Sequence, residues 1–224
     1  MIWDTISEIV KRLTSLPPAD PGATAVAEAR RLFDLDVYDP PRGDQRPAAQ
    51  RSRLAIDALL KASGWTWEVP YRGDGQVEWC GLFAGACWRT AGMPLDTVRT
   101  FLPSTYRLDL WGRYKSFDAK HVNARPLAGP RRLFAEFDEH STLLPFEPRA
   151  GDILTIGPAG SGYGKHICLV ESYESGVFHT IEGNGVGVGP DGNRRQGIVR
   201  GRRSLGGTAW HARRLIRPAP GDVG

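Results

Sequence analysis

The chain has 224 residues, 41% of them hydrophobic and 24% charged, enough to bury one core of a globular protein. No apolar run approaches the roughly 20 residues that a membrane span requires, which argues against a membrane anchor. The three cysteines, Cys80, Cys87 and Cys168, are odd in number and lack paired spacing, which excludes a disulfide scaffold and disfavours a zinc site.

In chain order, Ile2, Ile6, Ile9, Val10 and Leu13 recur at helical spacing and predict an amphipathic helix stopped by Pro17 and Pro18. Asp4 and Glu8 lie among them, so the segment reads as neither a signal peptide nor an anchor. Val26, Ala29, Leu32 and Phe33 predict a second helix. The proline- and glycine-rich stretch from Tyr38 to Ala48 reads as a loop or linker, after which Leu54, Ile56, Leu59 and Leu60 restore the helical pattern up to Gly64.

A polar loop, Tyr71 to Gln76, leads into Glu78-Trp79-Cys80-Gly81-Leu82-Phe83-Ala84-Gly85-Ala86-Cys87-Trp88-Arg89, a buried helix by its apolar spacing, closed by Gly92 before Pro94. Cys80 falls in the first turn, where unpaired N–H groups and the positive end of the helix dipole favour a thiolate. Further on, Pro130 to Phe137 reads as a short helix. From Gly151 the period changes to that of strands: Asp152 to Ile156, Lys165 to Glu171, Val177 to Glu182, Gln196 to Arg200 and Ala209 to Ile216, separated by glycine-rich turns. Helices first and an antiparallel sheet afterwards make an α+β layout.

The hairpin from His166 to Asn184 is the most informative geometry. His166, Cys168 and Val170 share one face of their strand, and the return strand offers Glu182 and Asn184 as partners. A loop of about three residues sets His166 opposite Asn184, and one of about five sets it opposite Glu182. Either odd count keeps both candidates on the histidine's face and His179 on the other; an even count reverses the assignment. Cys87 and Cys168 are expected as core residues, and His121, His140, His179 and His211 as core histidines.

The blocks Glu78-Trp79-Cys80-Gly81-Leu82-Phe83, Ala91-Gly92, Ala150-Gly151-Asp152-Ile153-Leu154, His166-Ile167-Cys168-Leu169-Val170 and Ile181-Glu182-Gly183-Asn184, in this order, resemble the CHAP-domain amidohydrolase/peptidases. That family is similar in fold to the NlpC-type and papain-like cysteine hydrolases. The resemblance implies a papain-like α+β domain over 48–218, with N-terminal helices packed on a C-terminal antiparallel sheet. An N-terminal helical extension and linker (1–47) and a tail (219–224) flank it. The segment near 113–148 is longer than the family pattern and reads as an insertion.

The same resemblance makes Cys80 the nucleophile, His166 the general base and Glu182 or Asn184 the residue that orients the histidine, with no cofactor and no metal. A thiol with a pKa of about 8.5 attacks poorly at neutral pH, and an adjacent imidazole activates it by taking its proton. The Cys80 backbone N–H, with Gln76 as second donor, is a candidate oxyanion contact, and Glu78 and Trp79 either shape the substrate side or pack.

The implied activity is cleavage of amide bonds in bacterial peptidoglycan, as an amidase or endopeptidase, by a phage-type lysin or an injected antibacterial effector. The alternatives are a hydrolase of the same fold acting on a protein side chain or isopeptide, and a non-catalytic wall-binding module. Without an export signal, such a protein is made in the cytoplasm and reaches the wall through lysis or delivery machinery, and an effector would be paired with an immunity protein. The formal charge is +4, with Arg194, Arg195, Arg200, Arg202, Arg203, Arg213, Arg214 and Arg217 near the C-terminus. These arginines make either a solvated basic face or an attraction to anionic wall polymers. No interleaved aromatics accompany them, so nucleic acid is not expected as a partner.

Overall fold

The computed structural model describes residues 20–65, 71–73, 77–105, 107–108, 133–138, 140–141, 144–161, 164–206 and 210–219. The helix expected over 1–16, Gln76, His121, residues 113–132 of the expected insertion and the tail from 220 lie outside them.

Helix α1 (Pro21–Asp34) begins where Asp20 accepts a hydrogen bond from the Ala23 N–H, with Pro21 in the first turn where a missing N–H is tolerated. Helix α2 (Pro47–Ala62) starts earlier than its apolar pattern, because Pro47, expected within the loop, likewise serves as a helix-opening residue. Helix α3 (Cys80–Thr90) is buried from Cys80 to Trp88, and a short α4 (Leu95–Phe101), not anticipated from the sequence, buries Val98. No helix among the described residues is long and apolar enough to cross a membrane.

Six antiparallel strands follow: β1 (Leu133–Glu136), β2 (Ile153–Pro158), β3 (His166–Glu174), β4 (Val177–Val188), β5 (Arg194–Ser204) and β6 (Trp210–Arg217), in the spatial order β1-β6-β2-β3-β4-β5. The fold is therefore α+β, with a larger sheet than expected. Strand β1 corrects the short helix read over 130–137: Leu133 to Glu136 pair with Arg217 to Arg214 at the edge of the sheet. Leu133, Phe134, Ala135 and Glu136 are too few to hold a helix by propensity alone, and the open edge of β6 decides their conformation.

One face of the sheet, carrying Ile153, Ile167, Leu169, Ile181 and Ile216, packs on the helices, with α3 at the centre. Leu154, Ile156, Cys168, Val170 and Leu215 point the other way and join Ala135 and Phe137 in a second cluster. Ala25, Ala29, Leu32 and Phe33 of α1 belong to the first core, and Tyr38 bridges to Gly197.

Candidate active site

Two close approaches seat α3 against its neighbours. A Cβ on Gly183 of β4 would fall 2.3 Å from Cβ of Phe83, and one on Gly81 would fall 1.8 Å from the Leu102 carbonyl oxygen. Only glycine lets the first turn of α3 lie this near to β4 and the end of α4, and that turn carries Cys80.

The hairpin resolves the parity question in an unexpected way. Its turn is Ser175-Gly176, two residues with φ of 50° and 82°, a type I′ geometry, so the loop count is even. By itself this would send His166 and Glu182 to opposite faces. A β-bulge at Glu171 restores the odd relation: Ser172 pairs with His179, but Val170 pairs with Thr180 and Leu169 with Ile181. Continued at that spacing, the ladder would set His166 across from Asn184. Instead the β4–β5 register shifts between Glu182 and Gly185, and Asn184 takes φ of 54°. The Asn184 side chain then accepts a hydrogen bond from Gln196 Nε2 at 3.0 Å, and His166 Nε2 meets Glu182 Oε2 at 3.0 Å.

Glu182 is fully buried and held from three sides. Arg203 of β5 donates through Nε to Oε1 at 2.9 Å and through Nη2 to Oε2 at 2.6 Å, and the Thr180 hydroxyl donates to Oε1 at 2.6 Å. Burial alone would raise the carboxyl pKa; the bonds to His166 and Arg203 outweigh it and hold the group at about 2. His166 experiences the mirror situation. Burial disfavours its imidazolium, but the neighbouring sulfurs of Cys168 and Cys80 and the bond to Glu182 hold its pKa well above the usual histidine value.

Cys168, expected only as core, is fully buried yet lies beside His166. Burial and the negative charge of Glu182 push its pKa up to about 11, so it remains a thiol at neutral pH. Cys87 is buried in the core as expected. His166, Cys168 and Glu182 bring ligand-type atoms to within 4.8 Å of one another. Both oxygens of Glu182 are already bonded to the Arg203 guanidinium, whose positive charge opposes a cation there, so the set suits a proton network better than a metal.

Cys80, His166, Glu182 and Arg203 line a cleft of about 480 Å³, whose walls include Glu78, Lys165, Asn184, Arg194 and Trp210. Trp79 does not reach it: the residue is fully buried beside Gly183, so it packs rather than contacts substrate. His211 is buried beside Arg213, whereas His140 is exposed and His179 half-buried, so neither of these is a core histidine.

The C-terminal arginines depart furthest from expectation. Arg203 belongs to the cluster of His166 and Glu182, which sequence reasoning missed. Arg200 pairs with Glu171 and lies over Phe33, Arg217 grips Asp152 through two bonds of 2.8 Å, Arg214 pairs with Glu136 and Arg195 with Asp36. Most of the basic run is thus internal structure rather than a solvated face. The signal that could have found Arg203 is positional: on a strand next to β4, an arginine of the right parity meets the buried carboxylate.

Comparison of the chain with protein-family models, with curated proteins and with solved structures gives no match.

Proposed function

We propose that the chain is a cysteine hydrolase of the CHAP type, papain-like in architecture, that cuts amide bonds of bacterial peptidoglycan. The observation that carries this reading is the convergence of Cys80 at a helix start, His166 at a strand start and the buried Glu182 on one cleft, with the imidazole hydrogen-bonded to Glu182.

In the proposed reaction the Cys80 thiol gives its proton to the neutral form of His166, making a thiolate–imidazolium pair that the Glu182 carboxylate favours, and the sulfur adds to the amide carbonyl carbon. The oxyanion that forms accepts from the backbone N–H of Cys80, at a helix start whose N-cap, Trp79, contributes no side-chain hydrogen bond. His166 returns its proton to the departing amine as the C–N bond breaks, leaving a thioester on Cys80. Water, deprotonated by His166, then adds to the thioester and releases the acid. Glu182 keeps the imidazole oriented and stabilises its charged form; Arg203 and Thr180 keep Glu182 in place.

Digestion of purified sacculi, with the released ends identified by mass spectrometry, tests the proposal. New amino and carboxyl termini that depend on Cys80 are the expected result and distinguish amidase from endopeptidase. Intact sacculi together with cleavage of a protein substrate would favour the isopeptide alternative. Binding to sacculi without any cleavage would leave a non-catalytic wall module.

A further inference from the structure

We infer that a second cavity, away from the cysteine cleft, is a binding site for a phosphate group. It encloses about 410 Å³ and is lined by Arg42, Arg53 and Arg72 with Gln45, Gln50 and Tyr71. Three arginines and no carboxylate line the wall, so the lining carries a surplus of positive charge that attracts an anion.

The neighbouring bonds sharpen the point. Asp44, the acid closest in sequence, is engaged by Arg46 through bonds of 3.1, 3.0 and 2.7 Å. Arg53 donates one Nη2 bond to the Asp44 carbonyl, but its Nη1 is buried with no partner among the described residues. A buried cationic donor without an acceptor is costly, and an oxyanion in the cavity supplies one. Arg42 is exposed at the rim and makes no hydrogen bond or ion pair among the described residues. Several planar forks around one space match a tetrahedral oxyanion, which offers acceptors in several directions, better than a single flat carboxylate.

The cavity also communicates with the cysteine cleft. The Tyr71 hydroxyl donates to Asp39, and Gln196 Nε2 donates to both Asp39 at 3.3 Å and Asn184 at 3.0 Å. This relay of bonds joins Tyr71 in the wall of the cavity to Asn184 in the wall of the cleft. The inference stands apart from the cysteine chemistry, since neither Cys80 nor His166 takes part in it.

The test is calorimetric titration of the full chain with inorganic phosphate and with a glycerol-phosphate oligomer, at matched ionic strength against chloride. Saturable binding of phosphate is expected, weakened about tenfold or more in Arg53→Gln and in Arg42→Gln. Tighter binding of the oligomer identifies a wall polymer as the source, and equal affinity a free phosphate or phosphomonoester. The exposed Arg42→Gln keeps the test valid if Arg53→Gln melts early. Cys80→Ala should bind as wild type does, so loss of hydrolysis and loss of phosphate binding are read separately. Absence of saturable binding to either probe, or unchanged affinity in both arginine variants, overturns the inference.

Discussion

Glu182→Gln is the most informative perturbation, because it removes a charge while keeping the size of a side chain that three neighbours hold. The carboxyl titrates at about 2 in the fold against 4.5 ordinarily, which corresponds to about 3 kcal/mol of stability. A depressed carboxyl pKa contributes that stability above pH 4.5 and loses it as pH falls towards 2. The glutamine variant should lack this acid-labile component and should also leave the Arg203 guanidinium without its counter-ion. Breaking one side of a buried pair costs about 3–5 kcal/mol, and about 2–4 °C of Tm accompanies each kcal/mol in a chain of this size. A fall of about 6–20 °C in Tm is expected, partly recovered in Glu182→Leu/Arg203→Met, where neither charge remains. Hydrolysis should fall about ten- to a thousandfold and stay low in the double variant. The basic limb of kcat/KM should move to lower pH, because His166 loses the anion that helps to hold its proton. Wild-type melting at neutral pH with an unchanged acid transition and an unchanged pH–rate profile would refute the argument.

Cys80→Ala should abolish hydrolysis with little change in melting, whereas Cys87→Ala, fully buried, should cost about 1 kcal/mol and spare the chemistry; sacculus digestion and thermal melts of both check this. Arg203→Lys keeps the charge but not the two-pronged bond, so kcat should drop more than KM changes, and binding to anionic polymer should not follow it; steady-state kinetics and sedimentation with wall material separate the two. Gly183→Ala should displace α3 and lower both stability and the rate of Cys80 alkylation by iodoacetamide, since its Cβ would meet Phe83; a wild-type alkylation rate would count against that packing role. Asn184→Gly should leave stability near wild type, because its φ of 54° suits glycine, while Asn184→Ala should cost about 1 kcal/mol; denaturant midpoints distinguish them, and neither should shift the pH–rate profile as Glu182→Gln does.

Local physics in the sequence determined a good deal. The spacing of apolar residues marked α1, α2 and α3 and five of the six strands, and the small residues around Cys80 marked a buried helix with the thiol in its first turn. Alternation along the hairpin named Glu182 and Asn184 as candidate partners of His166, but on an odd loop count that the two-residue turn does not have. These features depend on periods of two or about 3.6 residues, which a single chain segment displays by itself. Tertiary structure decided the rest. The bulge at Glu171 and the left-handed Asn184 together chose Glu182, and neither leaves a pattern that separates it from an ordinary strand. Residues 133–136 became a strand only because β6 offered an open edge. The arginines from Arg195 to Arg217 read as one basic face because sequence lists charges without their partners; the acids that engage them, Asp36, Glu136, Asp152, Glu171 and Glu182, come from across the chain. Such pairing depends on which strands lie side by side, information that resides in the assembled sheet and in no single segment.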